Sequence, residues 1–183
     1  MDEKSAAAGL AASNWAGLVV GAVGFGVLTQ VDGATGLGAI VIGSVIYSLG
    51  LSPVVILATD LIVGSAPVER AGAASAISET SSELGGALGI AVLGSIGVAV
   101  YRGMMATGIP IGVPPEAAEV ARATLGGALS VAQQLPHHLR VELLDTARDA
   151  FAQSVRLTAA ISAVISLAMA IIVRVWLRQR TSS

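Results

Sequence analysis

The sequence predicts an all-α integral membrane protein, with four transmembrane helices and an amphipathic helical hairpin between the third and the fourth. Two observations predict this class. Hydrophobic residues make up 54% of the 183 residues and charged residues only 12%, whereas about a quarter of a soluble domain is charged. The charges are also grouped, so that apolar intervals of about 20 residues, the length that crosses a bilayer, lie between them. The mean hydropathy of +0.81 agrees with this class.

Several functional classes are excluded by what the sequence lacks. It has no cysteine, so neither a disulfide framework nor a cysteine-based metal site can form. The net charge of −2 gives no reason to expect a nucleic-acid partner. Its two histidines, His137 and His138, are adjacent and therefore point about 100° apart on a helix, which is unsuitable for a shared metal ion. No GxGxxG, P-loop, nucleophile elbow or HExxH motif is present, so we expect neither an enzyme nor a cofactor.

Residues 1–13 are expected to form a cytoplasmic N-terminus, and residues 14–63 a first membrane hairpin of two spans. Nothing is charged between Lys4 and Asp32 or between Asp32 and Asp60. The short, glycine-rich stretch "QVDGATG" is typical of a tight turn between two helices. Pro53 lies inside the second span, where the missing N–H predicts a kink.

Residues 64–76 are expected to form a cytoplasmic loop and the start of a helix, and residues 77–101 the third span. Pro67 lies near the first turn, where proline is tolerated. Glu69 and Arg70 keep this junction in water, and Arg102 closes the span.

Residues 102–156 are expected to form an extracytoplasmic helical hairpin, because five arginines there are balanced by five acidic residues, and Pro114, Pro115 and Pro136 mark two helix starts. Its second helix carries an amphipathic stripe formed by Leu139, Leu143, Ala147 and Phe151. Residues 157–175 form the predicted fourth span, and residues 176–183 a basic cytoplasmic tail. Four spans place both termini on one side, and the positive-inside rule makes that side the cytoplasm.

The stretch "ISETSSELGGALGIAVLGSI" carries two carboxylates, Glu79 and Glu83, on one face of the third span. Counted from Arg70, they lie about 13 Å and about 19 Å along the helix. A charge near the centre of a bilayer costs about 3 kcal/mol, so such residues usually face a wet cavity. Carboxylates in such surroundings can take up and release protons near neutral pH. Alternatively, the helix starts late and both residues lie among the cytoplasmic headgroups. Asp60 admits the same two interpretations.

Glycines form the second pattern of the spans. Gly85 and Gly89 have GxxxG spacing in the third span, and Gly17 and Gly21 repeat that spacing in the first. Because small residues let membrane helices approach closely, the pattern predicts helix–helix contacts at both places.

The run "APVERAGAASAISETSSELGGALGIAVLGSI" resembles the start of a late helix in major facilitator superfamily transporters. More specifically, it is similar to the fourteen-span drug/proton antiporters, the Qac-type multidrug exporters. The residues that carry the resemblance are Pro67, Arg70, Gly72, Glu79, Glu83, Gly85 and Gly89.

This resemblance implies the last four helices of such an exporter, in a bacterial cytoplasmic membrane. In the family, the matching helix lines the translocation cavity, and its acids are implicated in proton coupling or cation binding. Glu79 and Glu83 are therefore the implied site residues, with Asp60 secondary because its helix borders the cavity. The implied partners are protons, lipophilic cationic drugs and the missing N-terminal portion of the transporter, or further copies of this chain.

The chain also departs from the family, since the first-half loop motif and the GPxxGG motif are absent. Alternating access requires two bundles that move about a midplane site, which four helices from one bundle do not supply. The sequence thus predicts a C-terminal portion of a drug/proton antiporter that is not transport-competent alone. Two alternatives stay open: a self-contained four-helix transporter that works as an oligomer, and a non-transporting assembly or regulatory subunit of the membrane.

Overall fold

The computed structural model describes the backbone of residues 3–32 and 36–181, and the side chains of residues 13–32 and 36–175. Every regular element in this part of the chain is helical, which confirms the predicted all-α class. The α-helices are α1 (Glu3–Leu28), α2 (Gly36–Gly64), α3 (Ala71–Gly108), α4 (Pro115–Ala123), α5 (Leu125–Ala132) and α6 (His137–Thr181), with a short 3-10 helix (Val68–Arg70) before α3.

Among the residues whose side chains are described, three helical stretches are long and apolar enough to cross a membrane, namely Gly36–Gly64, Val68–Gly108 and His137–Val175. They contain the predicted second, third and fourth spans. The predicted first span lies in α1, in which the described side chains include the apolar stretch Ser13–Leu28. The structure thus supports a membrane protein with three long apolar helices, and the count of four spans stays a prediction.

The two longest helices continue through the borders that the charges predicted for the spans. α6 has 45 residues and runs through Arg156, which gives a length of about 67 Å. Because a bilayer with its headgroups is about 40–45 Å thick, α6 projects from any membrane that it crosses. Arginine is a good helix former and does not end a helix. α3 likewise passes Arg102 and ends only at Gly108, just before Pro110.

Glycines allow α1 and α2 to pack in close contact. A Cβ atom on Gly17 would lie 2.5 Å from the Gly50 carbonyl oxygen, and one on Gly24 would collide with the backbone of Tyr47. Next to these glycines, the rings of Phe25 and Tyr47 stack with their centroids 5.1 Å apart. α2 is continuous through Pro53. The close packing predicted from the first-span glycines is therefore present.

α1 packs between α2 and α6, while α3 packs along α6 and touches α2. The guanidinium carbon of Arg174 lies 5.4 Å from the ring centroid of Trp15, which joins the last helix to the first by a cation–π contact. This contact links residues near the two ends of the part of the chain whose side chains are described.

Gly24→Leu should destabilise the α1–α2 pair, since the leucine would meet backbone that cannot move aside. We expect a loss of about 1–3 kcal/mol, the usual cost of overpacking. Unfolding in mixed detergent micelles, followed by circular dichroism, measures the change. Gly26→Leu is the matched control, because a Cβ atom at Gly26 meets nothing within 4 Å. Equal destabilisation by both variants would contradict this packing.

The end of α3, the two short helices and the first part of α6 share one apolar core. Met105 on α3 and Leu143 on α6 are fully buried in it, and Ala121 and Ala128 contribute from α4 and α5. The Tyr101 hydroxyl donates a hydrogen bond to the Ala121 carbonyl oxygen at 2.9 Å, which ties α4 to α3.

Three members of the stripe predicted on α6, Leu139, Leu143 and Ala147, are buried in this core. The fourth, Phe151, is 40% exposed, and Ala150 takes its place in the core. The membrane position of residues 102–156 stays a prediction.

Arg140 connects α6 to the end of α5. Its Nε donates to the Ala132 carbonyl oxygen at 3.0 Å, and its Nη2 atom donates to the carbonyl oxygens of Gln133 at 3.3 Å and Leu135 at 3.4 Å. The Ala132 carbonyl ends α5 and the other two follow directly after it, at the end of a helix where carbonyls lack partners and attract a cation.

Arg140→Met should therefore loosen α5 without unfolding the long helices. We expect the free energy of local opening to fall by about 1.5–3 kcal/mol, the range for a hydrogen bond with a charged donor. Hydrogen–deuterium exchange of the α5 amides measures this change. Arg148→Met is the matched control, because Arg148 makes only an exposed 3.6 Å ion pair with Asp145. Unchanged α5 protection in Arg140→Met would show that these contacts do not hold the helix.

Candidate functional site

The acidic pair lies on a helix that begins well before it. The 3-10 turn Val68–Arg70 leads directly into α3 at Ala71, so Glu79 falls in the third helical turn and Glu83 in the fourth. The two residues lie about 6 Å apart along the helix axis, on the same face. Both side chains are exposed. The site is thus a regular helical face that presents two carboxylates outward.

α2 meets α3 directly beside these acids. The hydroxyl oxygens of Thr59 and Ser78 lie 3.4 Å apart across the two helices, and Ser78 is buried, with 4% of its surface exposed. Asp60 and Glu79 each follow one of these hydroxyl residues in the sequence. Because consecutive residues rise only about 1.5 Å along a helix, Asp60 and Glu79 lie at the same level of the bundle. The structure therefore places Asp60 and Glu79 at one level beside the Thr59–Ser78 contact, and Glu83 lies one turn further along α3.

The Thr59–Ser78 hydrogen bond differs from those of other hydroxyls in these helices. Ser52 donates to the Ser48 carbonyl oxygen at 2.7 Å, and Thr80 to that of Ala76 at 2.8 Å. Ser95 donates to the carbonyl oxygen of Ala91 in the same way. These hydroxyls bond to their own helix, whereas Thr59 and Ser78 bond across the helices. This long contact is therefore one that joins α2 to α3 beside the acids.

Sequence reasoning missed both hydroxyl residues. The available signal was their position, since each directly precedes one of the candidate acids in the sequence. Only the packing of α2 against α3 shows that the two hydroxyls face each other.

The glycines of α3 have surroundings unlike those of α1. Cβ atoms on Gly85 and Gly89 would meet nothing within 4 Å, and the same holds for Gly72. The side chains of residues 79–88 are all exposed. In contrast, Gly17 and Gly21 are in close contact with α2. The GxxxG glycines of α1 are therefore in contact with α2. In the described structure, those of α3, which lie on the stretch that carries the acids, have no neighbouring helix against them.

The other motif residues shape the start of α3. The Arg70 amide donates to the Pro67 carbonyl oxygen at 2.8 Å and closes the turn that precedes the helix. In the described part of the chain, the ion pairs are Arg122–Glu119 and Arg148–Asp145, so neither joins a candidate acid. No group of three or more potential metal ligands occurs among the residues whose side chains are described.

Long apolar helices, one of them with carboxylates on an exposed face, define a multi-pass membrane protein. Comparison with known proteins agrees. Multidrug efflux pump LfrA of Mycolicibacterium smegmatis is 40% identical over 163 residues, which are 89% of this chain and 32% of the pump. The tetracenomycin C resistance and export protein of Streptomyces glaucescens is 28% identical over 84% of this chain and 30% of its own length. Methyl viologen resistance protein SmvA of Salmonella typhimurium is 40% identical over 61% of this chain and 22% of its own length.

The chain is therefore a homologue of major facilitator-type multidrug efflux pumps, which confirms the resemblance seen in the sequence. It spans about a third or less of the length of these relatives, at most 32%. No protein-family model and no solved structure matches it.

Proposed function

We propose that this chain is the C-terminal, four-helix portion of a proton-coupled multidrug efflux transporter of the bacterial cytoplasmic membrane. In this proposal, α1, α2, α3 and α6 each cross the membrane, and residues 102–156 form the extracytoplasmic helical hairpin. Glu79 and Glu83 exchange protons or bind the cationic drug, and Asp60 assists them. The chain does not transport alone, because the second bundle that alternating access requires is contributed by the rest of the transporter.

The observation that carries this proposal is the open face of α3. Exposed carboxylates and glycines without neighbours lie on the same stretch of α3. The corresponding glycines of α1, in contrast, pack directly against α2. An ionisable face inside a membrane is costly unless it borders a wet cavity. The remaining part of a transporter would supply the opposite wall of that cavity and the water that it encloses.

An exchange of segments with a relative tests this proposal. In the LfrA chimera, the third of LfrA that matches this chain is replaced by the chain itself. We expect the LfrA chimera to lower the accumulation of ethidium, a lipophilic cation, in cells that lack their own multidrug pumps. LfrA without that third, and this chain expressed alone, should both leave accumulation unchanged. A chimera that reaches the membrane but does not reduce accumulation would contradict the proposal.

The same assay separates the two alternatives. Proton-driven ethidium efflux from liposomes that hold only this chain would establish a self-contained transporter. A non-transporting subunit would instead give a chimera whose phenotype is insensitive to the loss of both glutamates.

A further inference from the structure

The first part of α3 is most deeply buried at a hydroxyl. Among residues 71–100, Ser78 is the one that is buried in the described structure, and the other buried residues of this helix belong to the core near its far end. A contact that served packing alone would be made by an apolar side chain, because a buried hydroxyl costs free energy unless it is hydrogen-bonded. The Ser78 hydroxyl faces that of Thr59 on α2 at 3.4 Å. This choice of residues calls for an explanation beyond packing.

α2 and α3 run in opposite directions at this contact. Thr59 lies near the end of α2 and Ser78 near the start of α3, and only residues 65–70 separate the two helices. A short connection of this kind makes neighbouring helices antiparallel. The two hydroxyls therefore join the arms of a helical hairpin close to its turn.

The antiparallel arrangement determines which residues emerge on each side of the interface between α2 and α3. Each forward step along a right-handed helix turns the side chain by about 100°. Because the helices run in opposite directions, a forward step from Thr59 and a forward step from Ser78 turn toward the same side. Asp60 and Glu79 therefore lie on one side of the interface, and the backward step from Ser78 places Ile77 on the other. These three side chains are all exposed.

We propose that Thr59 and Ser78 are positioning residues for the acids of the candidate site. Their hydroxyl contact sets the rotation of α2 against α3, so that Asp60 and Glu79 face the same space. Rotation of one helix by a single residue step would break the contact and turn one acid about 100° away from the other. The role of the acids rests on the function proposed above, whereas their placement does not.

A pair of hydroxyls suits this task inside a membrane. Serine and threonine side chains hydrogen-bond across membrane helices, where little water competes for them. A hydroxyl that donates to a carbonyl oxygen of its own helix, as Ser95 does to Ala91 at 2.6 Å, does not join two helices. Thr59 and Ser78 therefore differ from Ser95 in function, although all three are small hydroxyl residues of the predicted spans.

Spin labels on the full chain test the arrangement without any transport. The sequence contains no cysteine, so a nitroxide can be attached at Asp60→Cys and Glu79→Cys alone. The control pair combines Asp60→Cys with Ile77→Cys, on the other side of the interface. In frozen lipid vesicles, dipolar broadening should be about twofold or more stronger for the first pair, because labels on one side of two packed helices are separated by little more than the axis distance of about 8–10 Å.

Removal of one hydroxyl should abolish this difference. With Ser78→Ala in both labelled chains, α2 and α3 can rotate against each other, so the two pairs should show similar broadening. Ser78→Thr keeps a hydroxyl and should keep the difference. Thr59→Val removes the other hydroxyl and preserves the shape of the side chain, so it repeats the test if Ser78→Ala does not fold. Ser95→Ala is the matched control and should change nothing.

The LfrA chimera supplies the functional measurement. Ser78→Ala should lower the initial rate of ethidium efflux by about two- to tenfold, the effect of losing one hydrogen bond, while its amount in the membrane stays the same. Ser78→Thr should restore the rate, and Ser95→Ala should not alter it. Rescue by threonine would identify the hydroxyl, and not the size of the residue, as the group that matters.

Two results would overturn the proposal. The first is equal broadening of the two label pairs when both hydroxyls are present, or a difference that Ser78→Ala and Thr59→Val leave unchanged. The second is normal efflux with Ser78→Ala, after its label pairs have become similar, in a chimera that does depend on Glu79. Efflux that is independent of Glu79, with label pairs that behave as expected, would instead contradict the proposed function and support this placement of the acids.

Discussion

Replacing Glu79 and Glu83 together by glutamine should abolish ethidium efflux by the LfrA chimera while leaving its amount in the membrane unchanged. Glutamine keeps the size of the side chain and its helix propensity, but it cannot carry a proton as a carboxylate does. If the pair couples drug movement to protons, efflux should fall by about tenfold or more, since membrane carboxylates of this kind serve as proton relays. The initial rate of ethidium loss from preloaded cells measures the effect.

The control for this variant removes two acids elsewhere. Glu142→Gln combined with Asp149→Asn changes two exposed residues in the first part of α6, far along the chain from the α3 face. Efflux by this control should match that of the unmodified LfrA chimera. Full efflux by the double glutamine variant of α3 would exclude the proposed role and favour the interpretation that the glutamates are solvated headgroup-level residues.

Gly85→Leu with Gly89→Leu should prevent assembly with the rest of a transporter without destabilising this chain. Neither position has a neighbour within 4 Å in the described structure, so the leucines meet nothing inside the chain. Small residues let a partner helix approach closely, and bulk at this spacing separates the two backbones. We expect the variant to unfold in detergent like the unmodified chain and to lose co-purification with the remaining two thirds of LfrA.

Two further variants serve as controls for this experiment. Gly24→Leu should destabilise the chain itself, because α2 already fills that position. Gly86→Leu, turned about 100° away from Gly85, should keep both stability and co-purification. Normal co-purification by the Gly85 and Gly89 double variant would show that the open face of α3 is not where the rest of the transporter packs.

The sequence allowed the helical class and the candidate acids to be predicted, because both depend on local patterns. Apolar intervals between charges locate helices, and a four-residue spacing places Glu79 and Glu83 on one face whatever their surroundings. The helix ends were harder to predict. Charges mark where a chain is expected to leave a membrane, but they do not end helices, so α3 and α6 continue past Arg102 and Arg156.

Contacts between helices could not be predicted from spacing. Gly17 and Gly85 occupy equivalent positions in identical GxxxG patterns, yet only Gly17 meets a partner in the described structure. Phe151 fits the apolar stripe of α6 but stays 40% exposed beside the cleft between α3 and α6, because Ala150 packs into the core in its place. The contacts of each helical turn depend on how all the helices of the bundle pack together. Local sequence patterns carry no information about that packing.

Proton release on addition of drug tests the central claim most directly. The LfrA chimera is placed in inverted vesicles with an acidic interior that contains a pH-sensitive dye. Adding ethidium outside should raise the internal pH, as protons leave in exchange for drug, and the rise should disappear in the double glutamine variant. Vesicles that hold only this chain should show no response. Ethidium uptake without a change in internal pH, or a full response from this chain alone, would contradict the account.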